Sequence, residues 1–106
     1  MLKKKERLNR TEFNRFFSVG KRTHTPYLQI ISAPSDVFHG SVVVGKKVYK
    51  KAVDRNKVRR QIYNILYQFN KKNQLPRTYI IIAKPAIAGV KYTIFSKVLK
   101  KALESV

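Results

Sequence analysis

Six of the eleven residues from Lys50 to Arg60 are lysine or arginine. They sit in the stretch Lys46-Lys47-Val48-Tyr49-Lys50-Lys51-Ala52-Val53-Asp54-Arg55-Asn56-Lys57-Val58-Arg59-Arg60-Gln61-Ile62. At helical spacing, Val58, Ile62, Ile65, Leu66 and Phe69 form one apolar stripe. Asn56, Arg60 and Tyr67 fall almost opposite, with Arg59, Tyr63 and Asn64 flanking and Arg55 nearer the edge of the stripe. One side of such a helix is core, and the other offers guanidinium, amide and phenol groups. The first turn adds free N–H groups and the positive end of the helix dipole. Those groups suit phosphates and unpaired bases. A charged face can also be merely solvated, but this density of cations favours an anionic partner.

The chain shows no catalytic constellation. The five acids are Glu6, Glu12, Asp36, Asp54 and Glu104, spread over a basic arm, two helix starts, a turn and the C-terminus. Two-metal nucleases need several carboxylates converging on ions ~4 Å apart, and these positions form no such cluster. Asp54 reads as a helix cap. His24 and His39 could act as an acid–base pair, but both fall in loop-like segments with no lysine or tyrosine fixed beside them by motif. Gly20, Gly40, Gly45 and Gly89 are isolated, so no phosphate loop is present, and Gly45-Lys46-Lys47 lacks the Walker spacing. No catalytic residue and no metal ligand is expected in the chain itself.

Elements must hold the basic segment in place. Residues 1–10 carry Lys3, Lys4, Lys5, Arg7 and Arg10 with little apolar content, and read as a flexible arm that RNA could order. Thr11 is the expected N-cap of a first helix ending near Gly20, with Glu12 against the dipole. Phe13, Phe16 and Phe17 share one face of it. Lys21–Pro26 reads as a basic loop. Tyr27–Ser32 and Ser41–Gly45 read as strands, with Ala33-Pro34-Ser35-Asp36 as a turn and with Val37-Phe38 or Val48-Tyr49 as possible extensions. Asp54 should cap a helix running to about Lys71. Thr78–Ala83 is apolar on both faces and therefore central. Thr93 should cap a last helix whose core stripe is Phe95, Val98, Leu99, Ala102 and Leu103. The order is αβββαβα: one α/β domain over residues 1–106, a two-layer sandwich of helices on a small mixed sheet. The strand–helix–strand unit from Val42 to Ala83 predicts parallel pairing.

Composition bounds the partners. Twenty-four Lys+Arg against 5 Asp+Glu in 106 residues give a net charge of +19. That charge opposes compaction, so a polyanion should relieve it. Nucleic acid leads, and an anionic membrane surface is second. The apolar share of 43% and 12 aromatic residues, six Tyr and six Phe, argue for a folded domain. No cysteine is present, so disulfides and thiolate metal sites are excluded. No run of ~18 apolar residues could cross a membrane. The first residues lack the apolar stretch of a secretory signal, so a cytoplasmic location is expected.

The basic segment closely resembles the signature of the bacterial ribonuclease P protein family. The matching residues are Lys46-Lys47, Ala52-Val53, Arg55-Asn56-Lys57 and Arg59-Arg60. Arg7-Leu8, Phe13, Phe17 and Gly20 resemble the family's first helix, Tyr27-Leu28 its first strand, and Tyr79–Ala83 the strand after its long helix. Lys57 departs from the family's usual arginine, which keeps the charge and loses the bidentate fork. Tyr49 stands where a small residue is usual, and Tyr63 and Asn64 also depart.

The resemblance implies an accessory subunit of a catalytic RNA, which together with it hydrolyses the phosphodiester that joins the 5′ leader to precursor tRNA. It implies magnesium held mainly by the RNA, one protein per RNA, and a left-handed strand–helix–strand crossover, a hand that patterning could not reveal because ~98% are right-handed. It assigns Lys46, Lys47, Arg55, Asn56, Lys57, Arg59 and Arg60 to the catalytic RNA. It assigns Phe13, Phe17 and Tyr27 to a cleft for the single-stranded leader, although the phenylalanines could equally be helix-to-sheet core. A basic ribosomal protein, or a general DNA or membrane binder, would share the composition but not the motif.

Overall fold

A computed structural model describes residues 8–73 and 76–105. Lys3, Lys4, Lys5 and Arg7 of the expected basic arm lie outside the described residues. Within them the order is α1 (Arg10–Val19), β1 (Lys21–His24), β2 (Leu28–Pro34), β3 (His39–Val43), α2 (Ala52–Asn73), β4 (Arg77–Ala83), a single 3-10 turn (Pro85–Ile87) and α3 (Tyr92–Ser105). The four strands form one sheet in the order β1-β2-β4-β3. β1–β2 and β2–β4 are antiparallel, while β3–β4 is parallel across the α2 crossover, as the Val42–Ala83 pattern requires.

The alternation of β2 and β4 supplies two apolar faces. Leu28 and Ile30 of β2 and Tyr79, Ile81 and Ala83 of β4 join the larger core, with Val58, Ile62, Ile65 and Leu66 of α2 and Phe95, Leu99 and Leu103 of α3. Ile31, Ala33 and Ile80 point the other way and meet Phe16 of α1. The sheet and the α2/α3 pair make the two main layers, and α1 lies across the opposite face. β4 is buried on both faces because it is the strand that both layers share. Each fully buried side chain of this size contributes roughly 1.5–3 kcal/mol relative to exposure.

Several local expectations are corrected. Asn9, not Thr11, caps α1: its side chain accepts from the Glu12 N–H at 2.8 Å, and Glu12 returns the bond to the Asn9 N–H at 3.3 Å. This reciprocal pair needs an acid three residues after the cap, a spacing that fits Asn9 and not Thr11. Leu8, in the supposed arm, packs against the smaller core. Lys21–His24 is strand, not loop. It is an edge strand, exposed on three of its four residues, so it carries no apolar alternation to announce it. Val48-Tyr49 does not extend a strand, because Lys46–Val48 form a turn. Asp54 and Thr93 lie inside the first turns of α2 and α3 rather than at their caps.

Candidate nucleic-acid interface

β3 delivers the chain straight into the basic segment. Lys46 and Lys47 stand exposed on the turn, while the next residue, Val48, is buried and anchors it. The Val48 N–H donates to the Gly45 carbonyl at 3.0 Å. At the start of α2, Arg55 turns back on the loop. Its Nη1 donates to the carbonyls of Tyr49 at 3.1 Å and Lys50 at 2.6 Å. Arg55 is therefore half-buried and holds the turn to the helix, consistent with its place nearer the apolar stripe.

One turn on, an Arg59 Nη1 donates to Asn56 Oδ1. The bond occupies the amide oxygen and leaves the amide N–H groups directed outward as donors. Asn56, Lys57 and Arg60 are exposed, and Arg59 is partly so. Of the seven positions assigned to the catalytic RNA, Arg55 braces the turn to α2, Arg59 is half-buried, and Lys46, Lys47, Asn56, Lys57 and Arg60 are exposed.

Two tyrosines of α2 do not belong to that exposed set. Tyr63 is buried, and its hydroxyl accepts the backbone N–H of Val42 at 3.2 Å. A phenol reaches further than the helical wheel suggests, and here it closes a donor on the edge strand β3. Tyr67 is partly buried against the larger core. The wheel misplaces both because it omits the neighbouring sheet.

The aromatic candidates divide. Phe16 is core, as its position toward Ile31 and Ile80 dictates. Phe13 is partly buried on the same cluster and stacks on Phe17, with ring centroids 5.8 Å apart and planes at 24°. Phe17 is 36% exposed. The Arg22 guanidinium lies 4.6 Å from its ring centroid, and Nη2 donates to the Phe17 carbonyl at 3.0 Å. Tyr27 is partly buried, but against the larger core rather than with Phe13 and Phe17.

Register adds residues that sequence reasoning missed. Ile31 and Ile80 share a row across the sheet that α1 covers. Two residues further along each strand lies the row His24, Gln29, Ile82 and Val43. His24 is exposed and the other three are half-buried. Ile82 of this row packs on the same smaller core as Phe13, and the row ends on Val43, just before the Lys46-Lys47 turn. No local signal marks it, because strand pairing alone assembles it. Lys84, at the matching end of β4, donates through Nζ to the Thr25 carbonyl at 2.8 Å.

Acid–base chemistry by the histidines does not fit. His24 and His39 stand on opposite edge strands of a four-stranded sheet, and His24 is level with Val43, four residues along β3 from His39, which puts them roughly 20 Å apart at the usual strand dimensions. His39 is not exposed: it is half-buried, with Nε2 3.9 Å from a Glu12 carboxylate oxygen. Among the described residues, no three His, Asp or Glu side chains converge as a metal-holding group.

Aromatic rings on α1, a half-buried sheet row that leads along β3 toward the Lys46-Lys47 turn, and a cationic helix face together define a small basic α+β module. Likeness to known proteins specifies it further. The family model described as Ribonuclease P matches residues 2–106, and the chain belongs to that family. Proteins named ribonuclease P protein component are similar to it. That of Microcystis aeruginosa is 32% identical over 102 residues, covering 90% of this chain and 84% of the relative. That of Nitratiruptor sp. is 30% identical over 96 residues, covering 90% and 85%. In fold, the chain is similar to the RNase P protein of Thermotoga maritima, with a TM-score of 0.80 at 22% identity over 95% of this chain and 97% of the other. It is also similar to a Staphylococcus aureus RNase P protein mutant with defective mRNA degradation activity, at TM-score 0.81 and 23% identity over 96% and 88%.

Proposed function

We propose that this chain is the protein subunit of a ribonuclease P ribonucleoprotein, binding both the catalytic RNA and the 5′ leader of precursor tRNA. Family membership supports the subunit role. The observation that supports the division of labour is that the Gln29–Ile82–Val43 row ends at the point of β3 from which the chain runs into the Lys46-Lys47 turn and the basic helix. A leader strand lying on Phe13, Phe17 and the Gln29–Ile82–Val43 row would reach Lys46 and Lys47 as it leaves the sheet. Stacking on exposed rings is worth ~1–3 kcal/mol per base and tolerates any sequence, which suits leaders that differ from one tRNA to the next. Tyr27 belongs to this surface only if the leader extends toward the start of β2.

On this reading Arg59, Arg60, Asn56 and Lys57 face the catalytic RNA, with one protein to each RNA. Magnesium would be held by the RNA, where it would supply the activated water for phosphodiester hydrolysis. The protein contributes charge neutralisation and leader positioning. A cytoplasmic site of action goes with it, and no helix among the described residues is long and apolar enough to cross a membrane.

Single-turnover cleavage of precursor tRNA at low magnesium tests the proposal. The catalytic RNA with this chain should release leader faster than the RNA alone, and the chain alone should release none. Phe17→Ala should weaken binding of precursor by about five-fold or more and leave mature tRNA nearly unaffected. An equal loss for both RNAs would remove the leader role.

A further inference from the structure

Tyr49 departs from the family pattern and has a structural partner 40 residues away. Its hydroxyl accepts the backbone N–H of Gly89 at 2.8 Å. Gly89 has φ +79°, a conformation that other residues rarely adopt, so the connection before α3 is held in one shape. The Val90 N–H donates to the Ile87 carbonyl at 3.0 Å, and the Lys91 carbonyl accepts from the N–H groups of Ile94 and Phe95. The brace thus fixes where Lys91 and Tyr92 stand.

They stand beside α2. A cleft of about 390 Å³ opens between the two helix starts, lined by Tyr49, Asp54, Lys57, Gln61, Lys91 and Tyr92 over an apolar floor. That volume lies within the usual range for small-ligand pockets, ~300–1,000 Å³. Its chemistry is mixed in a particular way. Two exposed lysines give point charges for a phosphate. Tyr49 and Tyr92 are half-buried rings, Tyr92 being held edge-on by Phe95 at 5.5 Å between centroids. Asp54 and Gln61 offer acceptors for an exocyclic amine or a ribose hydroxyl. The lone carboxylate is outnumbered by the cations.

The cleft continues the RNA-facing side of α2 instead of opposing it. Successive residues turn about 100° around a helix, so Lys57 sits next to Arg60 on the outer surface of α2 and leads around to Gln61. Resting on the RNA-binding reading above, we propose that this cleft is a pocket for one unpaired nucleotide of an RNA strand. The phosphate lies between Lys57 and Lys91, and the base against Tyr92. Lys57, read from sequence as a weakened motif arginine, gains a role here: an ammonium on a flexible stem can follow a phosphate into a cleft that a planar fork would span poorly.

Binding of the ribonuclease P RNA by the full chain tests this, with Lys91→Gln, Tyr92→Phe, Tyr92→Leu and Arg60→Ala compared across a salt titration. Lys91→Gln should weaken binding and lower the salt slope by about one. Tyr92→Leu should weaken it about five-fold with the slope unchanged, and Tyr92→Phe should restore it. Loss with Arg60→Ala but none with Lys91→Gln and Tyr92→Leu overturns the pocket alone. Loss with none of the three overturns the RNA-binding reading beneath it. Should Tyr92→Leu fail to fold, amide shifts of the unmutated chain decide. Adenosine 5′-monophosphate should move Lys57, Gln61, Lys91 and Tyr92 at concentrations where inorganic phosphate or adenosine does not. Equal effects of phosphate and the nucleotide would reduce the site to an anion site and refute the proposal.

Discussion

Arg55 and Arg60 share one helix and one charge, yet their surroundings give them different work. Arg55 donates to two loop carbonyls, whereas Arg60 is exposed. Arg55→Ala leaves those carbonyls to water and loosens the turn, so it should lower stability by ~1–2 kcal/mol. Arg60→Ala should leave stability within ~0.5 kcal/mol and weaken RNA binding, with the salt slope falling by about one. Urea unfolding beside a salt-dependent binding series separates the two effects. Arg60→Ala with an unchanged slope would mean that this guanidinium contacts no phosphate. A second residue-scale case is Tyr79, fully buried beside Phe38 and Phe69, with a hydroxyl that has no hydrogen-bond partner among the described residues. Burial pushes its phenol above the usual value, and the charge of Arg77 offsets part of that rise. A folded-state value above the unfolded one means stability is complete below about pH 10 and is lost as pH rises through the folded value. Tyr79→Phe should therefore match the parent near pH 7 to within ~1 kcal/mol and lose less stability between pH 9 and pH 11. Identical alkaline losses in denaturant titrations would clear Tyr79 of that role.

At the scale of elements, the junction between α1 and the sheet is the tightest point. Gly20 ends α1 in an extended conformation, with φ −71° and ψ 152°, so the left-handed freedom of glycine is not what the site needs. Space is. A Cβ at position 20 would stand 2.4 Å from Ile31 Cγ2 and 2.8 Å from the Phe16 carbonyl oxygen. Gly20→Ala must push α1 away from β2 and should cost ~1–3 kcal/mol, measured by chemical denaturation. Because Phe13 and Phe17 ride on α1, the same variant should also weaken leader binding. A variant of parent stability would mean that α1 docks with more slack than these distances allow. Edge strands show the complementary lesson. β3 is finished by a hydroxyl from α2, through Tyr63, and β1 by its own exposed polar residues, so neither edge depends on hydrophobic cover.

Across the whole molecule, charge is the property that reaches every element. A net +19 over a body with a radius of gyration of 12.8 Å repels itself. An anion that binds the folded form therefore stabilises it by mass action. Sulfate should raise the thermal midpoint more than chloride at equal ionic strength. Chloride reports screening, and the excess reports binding. Identical curves for the two salts, by circular dichroism, would show that the folded state has no specific anion sites.

The sequence determined the class of this protein. The Lys46–Arg60 run, the 3.6-residue stripe through Val58, Ile62, Ile65 and Leu66, and the apolar Tyr79–Ala83 strand are local patterns. Local patterns survive translation into helix, central strand and cationic face. They also carried the family signature, the scattered acids and the parallel β3–β4 pairing. Tertiary structure decided whatever depends on a neighbour distant in sequence. It made Lys21–His24 a strand because β2 supplies the partner that its own residues do not announce. It drew Tyr63 from the polar face of α2 into the core and packed Tyr67 partly against it, and it set Tyr27 apart from Phe13 and Phe17. It laid His24, Gln29, Ile82 and Val43 in one row across four strands, and joined Tyr49 to Gly89 across 40 residues. A periodicity reports which way a side chain leaves its own helix or strand, whereas only the packed chain decides what that side chain meets.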